Sequence, residues 1–275
     1  MTPIILAAGR GRRLGAAGAQ RPKCLVPVAG ETLLSRALAR IERAGFRRAA
    51  VVVGFRSDRV RAHVASLATR LEVRFVENPR YETTNNLYSL ALGLEAIGGG
   101  VTVINGDDYF HGDLLRRLGD EPGDAAAVVD FKRPLAGDAM RTQVVGTEIT
   151  CLGKSLPADL ADGNAIGLYR FSGAAADALR AEVARWVSDG RLDAFYVEAV
   201  SALAKTISIR AVSTGGLTWG EIDDPHDLAA APGRIARMLA EEDLAAAAVA
   251  GAGAGPARPG WLPVLARPAA GLGAA

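Results

Sequence analysis

The chain has 275 residues, of which 49% are hydrophobic and 23% charged, and its formal net charge at pH 7 is +2. A chain of this length and composition can bury a core, and its small net charge gives no global basic face for nucleic acid. No apolar run approaches the roughly 20 residues of a membrane span. We therefore expect a soluble, cytoplasmic protein without a signal peptide, and the two cysteines, Cys24 and Cys151, agree with a reducing compartment.

The first half of the chain alternates between strand-like and helix-like segments. Its apolar pattern predicts strands over residues 3–7, 51–53, 71–75 and 101–105, and helices over residues 32–44, 57–69 and from Asn85 or Asn86 to Ile97. The three valines of 51–53 end at Gly54, which is typical of an interior parallel strand. This alternation predicts a parallel α/β sheet, whose ligands bind beyond the carboxyl ends of the strands.

The second half is less regular and predicts an antiparallel extension of the same sheet, because no linker interrupts it. Strands are expected over residues 124–130, 141–145, 147–152 and 164–171, and helices over 173–187 and 194–204. From Asp243 the composition changes to alanine, glycine and proline. We expect one domain over residues 1–242 and a tail over 243–275. The tail begins as a frayed helix and continues as a disordered segment, with Trp261 as its candidate for docking.

A loop rich in glycine and arginine follows the first predicted strand, in the stretch IILAAGRGRRLGAAGAQRPKCLVPVAG of residues 4–30. It is not a Walker A loop, because no lysine directly follows Gly9, Gly11 or Gly15. It is not a dinucleotide fingerprint either, because Leu14 stands where the third glycine is required.

The loop itself, rather than the end of a helix, is therefore expected to surround a ligand. Pro22 and Pro27 break the stretch, and the first helix start signal, Glu31-Thr32, comes late. Glycines let backbone N–H groups turn inward as an anion nest. The positive charges are those of Arg10, Arg12, Arg13 and Lys23. This combination suits a triphosphate, and the alternative is a mobile basic loop that binds nothing or only polyanions.

These residues resemble a known family. The stretch ILAAGRGRRL…RPKCLVPVAGETLL resembles the signature of nucleotidyltransferases that activate phosphorylated small molecules with a nucleoside triphosphate. The stretches NPRYETTNNLYSLALGL, VINGDDYF, IGLYRFS, FYVEAV and WGEIDDPHDL follow in the order of the phosphocholine cytidylyltransferase-like branch, over residues 3–230. The resemblance implies an α/β, Rossmann-like nucleotidyltransferase fold with a mixed, mostly parallel central sheet flanked by helices. Arg12 departs from the signature, in which serine or threonine is usual.

Two acidic clusters are candidates for a metal site. VINGDDYF ends a predicted strand, and because adjacent residues of a strand point to opposite sides, one of Asp107 and Asp108 faces the ligand. The resemblance favours Asp107 and assigns Mg²⁺ to Asp107 and Asp223, with Glu221 as a further candidate. Mg²⁺ is usually held by one or two carboxylates together with phosphate and water. The alternative is structural: Asp107-Asp108 is a turn, and Asp223 or Asp224 caps the next helix.

Further residues are candidates for substrate contacts. The candidates for nucleotide binding are Leu6, Ala7, Ala8, Gly9, Arg10, Gly11, Arg12, Lys23, Asn85, Asn86 and Gly106, and those for catalysis are Lys23, Arg13 and Asp107. The candidates for acceptor binding are Lys132, Lys154, Tyr169, Tyr196, Glu198 and Trp219, with Phe195 as a further aromatic residue. Aromatic faces would suit a quaternary ammonium group. Structural roles stay open for all of these: helix capping for the asparagines, solvation for the lysines and core packing for the aromatic residues.

Together these features predict a cytidylyltransferase that transfers CMP from CTP to a small acceptor bearing a phosphate or phosphonate, where the choice of CTP comes from the resemblance. We expect Mg²⁺ as the cofactor, neither nucleic acid nor membrane as a partner, and a homodimer as the candidate assembly. Three alternatives stay open: transfer to a sugar 1-phosphate from UTP, GTP or dTTP, a metal-dependent glycosyltransferase, and a nucleotide-binding protein without activity. His63, His111 and His226 sit at no metal spacing, and no pair of nucleophile and base stands out.

Overall fold

The structure is a computed structural model that describes residues 1–17, 21–135 and 139–251. The elements of its first part are β1 (Thr2–Leu6), β2 (Pro27–Val28), β3 (Glu31–Thr32), α1 (Leu33–Arg43), β4 (Arg48–Val53), α2 (Ser57–Ala65), β5 (Glu72–Glu77), α3 (Asn86–Ala96) and β6 (Val101–Asn105). After these come β7 (Asp108–Phe110), α4 (Asp113–Asp120), β8 (Ala125–Asp130), β9 (Arg141–Val145), β10 (Glu148–Leu152), β11 (Gly163–Phe171), α5 (Gly173–Ser188), α6 (Tyr196–Leu203), β12 (Arg210–Ser213), β13 (Trp219–Glu221) and α7 (Pro225–Gly251).

Nine strands form one central sheet in the order β5-β4-β1-β6-β11-β8-β12-β10-β9. The first four run parallel. From β11 onward the sheet is mixed: β11 is antiparallel to β6 and β8, β12 is parallel to β8, and β10 is antiparallel to β12 and β9. The predicted α/β fold with a mixed central sheet is confirmed, and the second half of the chain extends the sheet of the first.

Helices cover both faces of the parallel strands. Ile4 of β1 packs in the same cluster as Leu87 of α3, whereas the next residue, Ile5, packs in the cluster of Leu38 from α1. Burial on both faces explains why these strands appear in the sequence as continuous apolar runs. The helix α1 begins where the sequence predicts, because Oγ1 of Thr32 accepts a hydrogen bond of 3.0 Å from the backbone N–H of Ser35.

Some boundaries differ from the prediction. The helix α2 ends at Ala65 rather than at residue 69, and no bounds were predicted for the short elements β2, β3, β7, α4, β12 and β13. The last helix continues to Gly251 and crosses the proposed domain boundary at residue 242, because an alanine-rich segment favours helix. Trp261 lies outside the described residues, and the boundary itself stays a prediction. Within the described ranges, no helix combines the length and apolarity of a membrane span.

Acidic side chains attach α7 to the domain. Glu242 accepts hydrogen bonds of 2.9 Å from Nη2 of Arg40 and from the backbone N–H of Gly112. Glu241 accepts one of 3.0 Å from the backbone N–H of Thr218, which directly precedes β13. As a result, the segment that carries the second acidic cluster is held between α7 and the sheet.

The parallel strands end side by side, and this defines the ligand edge of the sheet. Leu6 at the end of β1 lies opposite Asn105 at the end of β6. A Cβ added at Gly106 would lie 2.5 Å from the carbonyl oxygen of Leu6, so only glycine allows the ends of β1 and β6 to approach so closely. The chain that leaves β1 forms the basic loop, and the chain that leaves β6 leads directly to Asp107.

Candidate active site

A cavity of about 350 Å³ opens at this edge of the sheet. Residues singled out from the sequence form much of its lining: Leu6, Ala7, Ala8, Gly9, Gly11, Arg12, Arg13, Lys23, Asn85, Asn86, Gly106, Asp107, Lys154, Tyr169, Phe195, Tyr196, Trp219, Glu221 and Asp223. One cavity therefore gathers the basic loop, both acidic clusters and most of the acceptor candidates.

Lys23 lies between the two acidic clusters. Its ammonium Nζ donates a hydrogen bond of 2.5 Å to Oδ2 of Asp107 and another to Oδ1 of Asp223. Nη2 of Arg13 lies 2.9 Å from Oδ2 of the same Asp223. Since Lys23 is separated from Asp107 by 84 residues and from Asp223 by 200, this charge cluster is a product of the fold rather than of local sequence.

The groups of this cluster favour each other's ionised forms. Burial alone would lower the pKa of Lys23, but the carboxylates of Asp107 and Asp223 raise it above its usual range. Burial would likewise raise the pKa of Asp223, yet the nearby cations hold that pKa below its ordinary value. These cations are Lys23, Arg13 and Lys154. Lys23 is therefore protonated and Asp223 ionised at neutral pH.

The glycine at position 11 lets the loop fold against Lys23. Gly11 has a φ of +68°, and a Cβ added there would lie 3.1 Å from Cβ of Lys23. The backbone N–H of Lys23 donates to the carbonyl of Gly9 at 3.4 Å. The described part of the loop contains a 3₁₀ helix over Arg12–Ala17 and no α-helix start. The loop thus fixes the backbone of Lys23, and its long side chain reaches the carboxylates.

The pairing of β7 with β13 brings the two acidic clusters together. The two strands run antiparallel, with Glu221 opposite Asp108. One residue further, the backbone N–H of Ile222 donates to the carbonyl of Asp107 at 3.1 Å. Asp223 therefore arrives beside Asp107, at the point where β7 begins.

Asp107 and Asp108 face opposite sides of the chain. Asp107 lines the cavity, and 28% of its side chain is exposed. Asp108 is buried, and this burial is the main cause that raises its pKa well above the usual range. The structure thus brings Asp107, rather than Asp108, to the cavity.

The capping role considered for the second acidic cluster falls to Asp224. Its Oδ1 accepts hydrogen bonds from the backbone N–H groups of His226 at 2.8 Å and Asp227 at 2.9 Å, at the start of α7. Ligand atoms of Asp224, His226 and Asp227 lie within 4.8 Å of one another, which corrects the statement that His226 has no metal spacing. Both carboxylates of this group, however, already accept backbone N–H groups.

The other two histidines lie outside the cavity lining. Nε2 of His63 lies 2.7 Å from Oγ of Ser35 and 2.9 Å from Oγ1 of Thr32, at the start of α1. Nδ1 of His111 accepts from the backbone N–H of Asp113 at 3.1 Å. The Ser35–His63 contact is a pair of hydroxyl and imidazole that the sequence analysis did not find.

The acceptor candidates that line the cavity are already engaged with other side chains. Nζ of Lys154 lies 5.1 Å from the centroid of the Phe195 ring. The guanidinium of Arg133 lies 4.5 Å from the centroid of the Trp219 ring. The hydroxyl of Tyr196 donates to Oδ1 of Asn105 at 2.9 Å.

Three predicted contacts do not line the cavity, and each has another role. Nζ of Lys132 donates to the carbonyl of Gly215 at 3.2 Å. Oε1 of Glu198 accepts from the backbone N–H of Phe195 at 3.1 Å, so that Glu198 caps α6 instead of facing an acceptor. Arg10 turns away, and its guanidinium lies 5.0 Å from the centroid of the Phe55 ring.

Asn85 and Asn86 have a structural role at helix starts and also line the cavity, whereas their predicted contact with a nucleotide stays a prediction. Oδ1 of Asn85 accepts from the backbone N–H of Asn86 at 2.8 Å and so caps α3. Oδ1 of Asn86 accepts from the backbone N–H of Tyr196 at 2.9 Å and ties the start of α3 to the start of α6. Because both asparagines also line the cavity, capping fixes the wall on which a nucleotide would lie.

Part of the lining was not predicted from the sequence, namely Cys24, Asn78, Tyr81, Thr84, Ser89, Asn105, Met140, Asn164, Ala165, Ile166, Gly167 and Val197. Two of these had a usable signal. Asn78 directly follows the alternating strand β5 and Asn105 ends the apolar strand β6, at the edge of the parallel block where polar side chains meet a ligand. Gly167 lies in the quoted stretch IGLYRFS, but the sequence gives no sign that it sits where the register of β11 against β8 shifts.

The acidic residues of the cavity fit a divalent cation. Carboxylate oxygens of Asp107 and Asp223 both reach one nitrogen atom, Nζ of Lys23, so they are able to converge on a single cation. Glu221 lines the same cavity. Oxygen ligands of this kind, completed by phosphate oxygens and water, are those that Mg²⁺ prefers.

The α/β fold, with its central sheet flanked by helices, is that of a nucleotidyltransferase. The chain belongs to the family with a MobA-like NTP transferase domain, whose model matches residues 3–203. This match covers the basic loop, Asp107 and the whole of α6, and it ends before Asp223.

Curated relatives are longer than the region they share with this chain. A CMP-5'-(3-aminopropyl)phosphonate synthase from Streptomyces rubellomurinus is 37% identical over 145 residues, which are 52% of this chain and 23% of that protein. A bifunctional IPC transferase and DIPP synthase from Rubrobacter xylanophilus is 34% identical over 227 residues, which are 82% of this chain and 49% of that protein. This chain thus matches less than half the length of either relative.

A solved structure confirms the fold. The CTP:phosphocholine cytidylyltransferase from Streptococcus pneumoniae superposes with a TM-score of 0.70, over 85% of this chain and 98% of that one. The two sequences are 20% identical, so this likeness concerns the fold alone.

Proposed function

We propose that this protein transfers CMP from CTP to a small acceptor that bears a phosphate or phosphonate group, and that it releases pyrophosphate. The observation that carries the proposal is the convergence of Lys23, Asp107 and Asp223 in a cavity bordered by the basic loop. The name of a relative supports the nucleotide and the acceptor class, since that protein is a CMP-phosphonate synthase. Two free cysteines suit a cytoplasmic setting.

In this reaction an oxygen of the acceptor phosphate or phosphonate attacks the α-phosphorus of CTP in line. A bond forms between that oxygen and the α-phosphorus, while the bond from the α-phosphorus to the oxygen of the leaving pyrophosphate breaks. The acceptor oxygen is already ionised near neutral pH, so no general base is needed. Catalysis then consists of positioning and of neutralising charge on the phosphates.

The basic groups of the cavity suit this task. Arg12 and Arg13 of the loop, together with Lys23, bind the triphosphate and stabilise the negative charge that moves onto the leaving pyrophosphate. Asp107 and Asp223 are the residues that would hold Mg²⁺, and Glu221 lines the same cavity. Bound there, the ion would supply further charge neutralisation on the phosphates.

The cavity wall formed by Lys154, Phe195 and Trp219 is better suited to a phosphate or phosphonate group than to the quaternary ammonium group of phosphocholine. A quaternary ammonium group needs aromatic faces that no other cation occupies. The rings of Phe195 and Trp219 already face Lys154 and Arg133. Lys154 also lies close enough to lower the pKa of Asp223 through its charge, below what burial alone would give. We therefore assign Lys154 to the anionic group of the acceptor.

A pyrophosphate-release assay tests this function. The purified protein is incubated with Mg²⁺, one of the nucleotides CTP, UTP, GTP and dTTP, and one of a set of phosphonates, phosphocholine, polyol phosphates and sugar 1-phosphates. We expect release with CTP and a phosphate or phosphonate acceptor, and formation of a CMP-linked product by mass spectrometry. Release with UTP, GTP or dTTP and a sugar 1-phosphate would assign the sugar-activating alternative instead. No release with any pair, despite Mg²⁺-dependent binding of CTP, would favour a nucleotide-binding protein without activity.

A further inference from the structure

The ammonium of Lys23 lies where a cation shared by Asp107 and Asp223 would lie. Its Nζ is hydrogen-bonded to one oxygen of each carboxylate. Oδ2 of Asp107 and Oδ1 of Asp223 thus converge on one position, as two oxygen ligands of a divalent cation would. The side chain of Lys23 is 14% exposed and that of Asp223 is 11% exposed, so little solvent screens the group. An ammonium ion and a divalent cation cannot share this place, because their charges repel each other over a short distance.

The loop fixes the backbone and Cβ of Lys23 and leaves its terminal ammonium group able to move. A Cβ added at Gly11 would lie 3.1 Å from Cβ and 3.3 Å from Cγ of Lys23, so the loop lies close to this side chain, and the carbonyl of Gly9 accepts the backbone N–H of Lys23. The four-carbon side chain beyond this point is flexible. Arg12 and Arg13 line the same cavity, so a triphosphate drawn to the loop would offer Lys23 a second anionic partner.

We propose that Lys23 acts as an internal counter-ion that blocks the metal site in the absence of nucleotide and leaves it when the triphosphate binds. Free Mg²⁺ must displace the ammonium and therefore binds weakly. When the triphosphate binds, the ammonium of Lys23 binds its phosphates instead of the two carboxylates. Nucleotide binding therefore raises the affinity for the metal, and by thermodynamic linkage metal binding raises the affinity for the nucleotide by the same factor. The inference rests on the proposed function in one respect, the assignment of a divalent cation to Asp107 and Asp223.

Mn²⁺ binding, measured by electron paramagnetic resonance on the nucleotide-free protein, tests the proposal without any turnover. We expect Lys23→Gln to bind Mn²⁺ about tenfold or more tightly than the unsubstituted protein, because a typical coupling between sites is on the order of 5- to 150-fold. Lys154→Gln removes a cation from the same cavity whose Nζ lies against the Phe195 ring, and it controls for the general loss of positive charge. Lys205→Gln removes an exposed lysine and should leave Mn²⁺ affinity unchanged.

Equal Mn²⁺ affinity of Lys23→Gln and the unsubstituted protein would overturn the proposal, as would an equal gain in Lys154→Gln. Lys23→Gln leaves two close carboxylates without their counter-ion, so its folding is measured by thermal unfolding in Mg²⁺ and in KCl of matched ionic strength. A stabilisation of Lys23→Gln by Mg²⁺ that exceeds that of the unsubstituted protein supports the proposal, and an equal response contradicts it. If this pattern holds while no acceptor releases pyrophosphate, the counter-ion role stands and the proposed transferase function fails.

Discussion

The two blocks of the central sheet contribute different chemistry to one cavity. The parallel block, β5-β4-β1-β6, supplies the basic loop and Asp107 from the carboxyl ends of β1 and β6. The mixed block, from β11 to β9, and the chain that follows it supply Lys154, Tyr169 and the segment with Asp223. In the proposed reaction the parallel block therefore binds the triphosphate, and the mixed block faces the acceptor.

The difference between the blocks shows where substrate specificity is able to vary. The ends of parallel strands are fixed by neighbours on both sides, as the contact of Gly106 with the carbonyl of Leu6 illustrates. Lys154 instead follows the edge hairpin of β9 and β10, and its carbonyl is held by Nη1 of Arg141 at 3.3 Å. In the proposed reaction, a change in the edge hairpin would alter the wall that faces the acceptor without moving the strands beneath the triphosphate.

The largest effect is expected at the junction of the two acidic clusters. Asp107→Asn removes one of the two carboxylates available to a metal, and turnover should fall about a hundred- to a thousandfold, as for the loss of a single preorganised electrostatic group. Lys23 keeps its bond to Asp223, so the variant should stay folded. The measurement is kcat for pyrophosphate release, with thermal unfolding as the check on the fold.

Asp120→Asn is the matched control for this variant. Asp120 is the partner of Arg116 in an exposed ion pair on α4, at 3.3 Å, and lies outside the cavity lining. Its replacement should leave kcat unchanged within the error of the assay. A near-normal rate for Asp107→Asn would remove Asp107 from the mechanism and would separate the acidic clusters from the chemistry.

The strand β11 joins the two blocks, and Gly167 is its critical position. Gly167 has a φ of +75°, and a Cβ there would lie 2.2 Å from Oδ2 of Asp108 and 2.3 Å from Nδ2 of Asn105. Gly167→Ala should reduce the free energy of unfolding by about 2–4 kcal/mol, from backbone strain and overpacking together. Urea unfolding measures it. Gly98→Ala, at an exposed site where a Cβ meets nothing within 4 Å, should change that free energy by less than about 1 kcal/mol.

Most strands of the parallel block and the ligand edge at their carboxyl ends could be predicted from the sequence. Strands buried on both faces, such as the one ending at Val53, form continuous apolar runs, and the polar residues that follow them mark the ligand edge. The basic loop was found in the same way, because its charges and glycines are contiguous. Gly9, Gly11, Lys23 and Asp107 accordingly line the cavity, and the sequence analysis had named all four.

The mixed block was less readable, because its contacts join distant parts of the chain. Lys132 and Lys154 look alike in sequence, yet only Lys154 lines the cavity, and Nζ of Lys132 is bonded to Gly215, 83 residues away. Glu198 was named for its charge, while its position three residues into α6 makes it a helix cap. Short strands such as β13 carry too few residues for a periodic signal, so the pairing that brings Asp223 to Asp107 appears only in the fold.

The smallest expected effect is a change in KM that distinguishes Lys154 from Lys132. It tests whether the mixed block binds the acceptor and the parallel block binds the triphosphate. In Lys154→Gln the acceptor loses a cation on its wall of the cavity, and its KM should rise about tenfold, in line with the loss of one charge-assisted hydrogen bond. The KM for CTP should change by less than about twofold if the parallel block alone binds the triphosphate. Lys132→Gln should change neither value, because this ammonium is bonded to a backbone carbonyl away from the cavity. An equal rise in both KM values for Lys154→Gln would show that the mixed block also holds the triphosphate, and the boundary between nucleotide and acceptor would then run through the cavity at Lys154 rather than along β11.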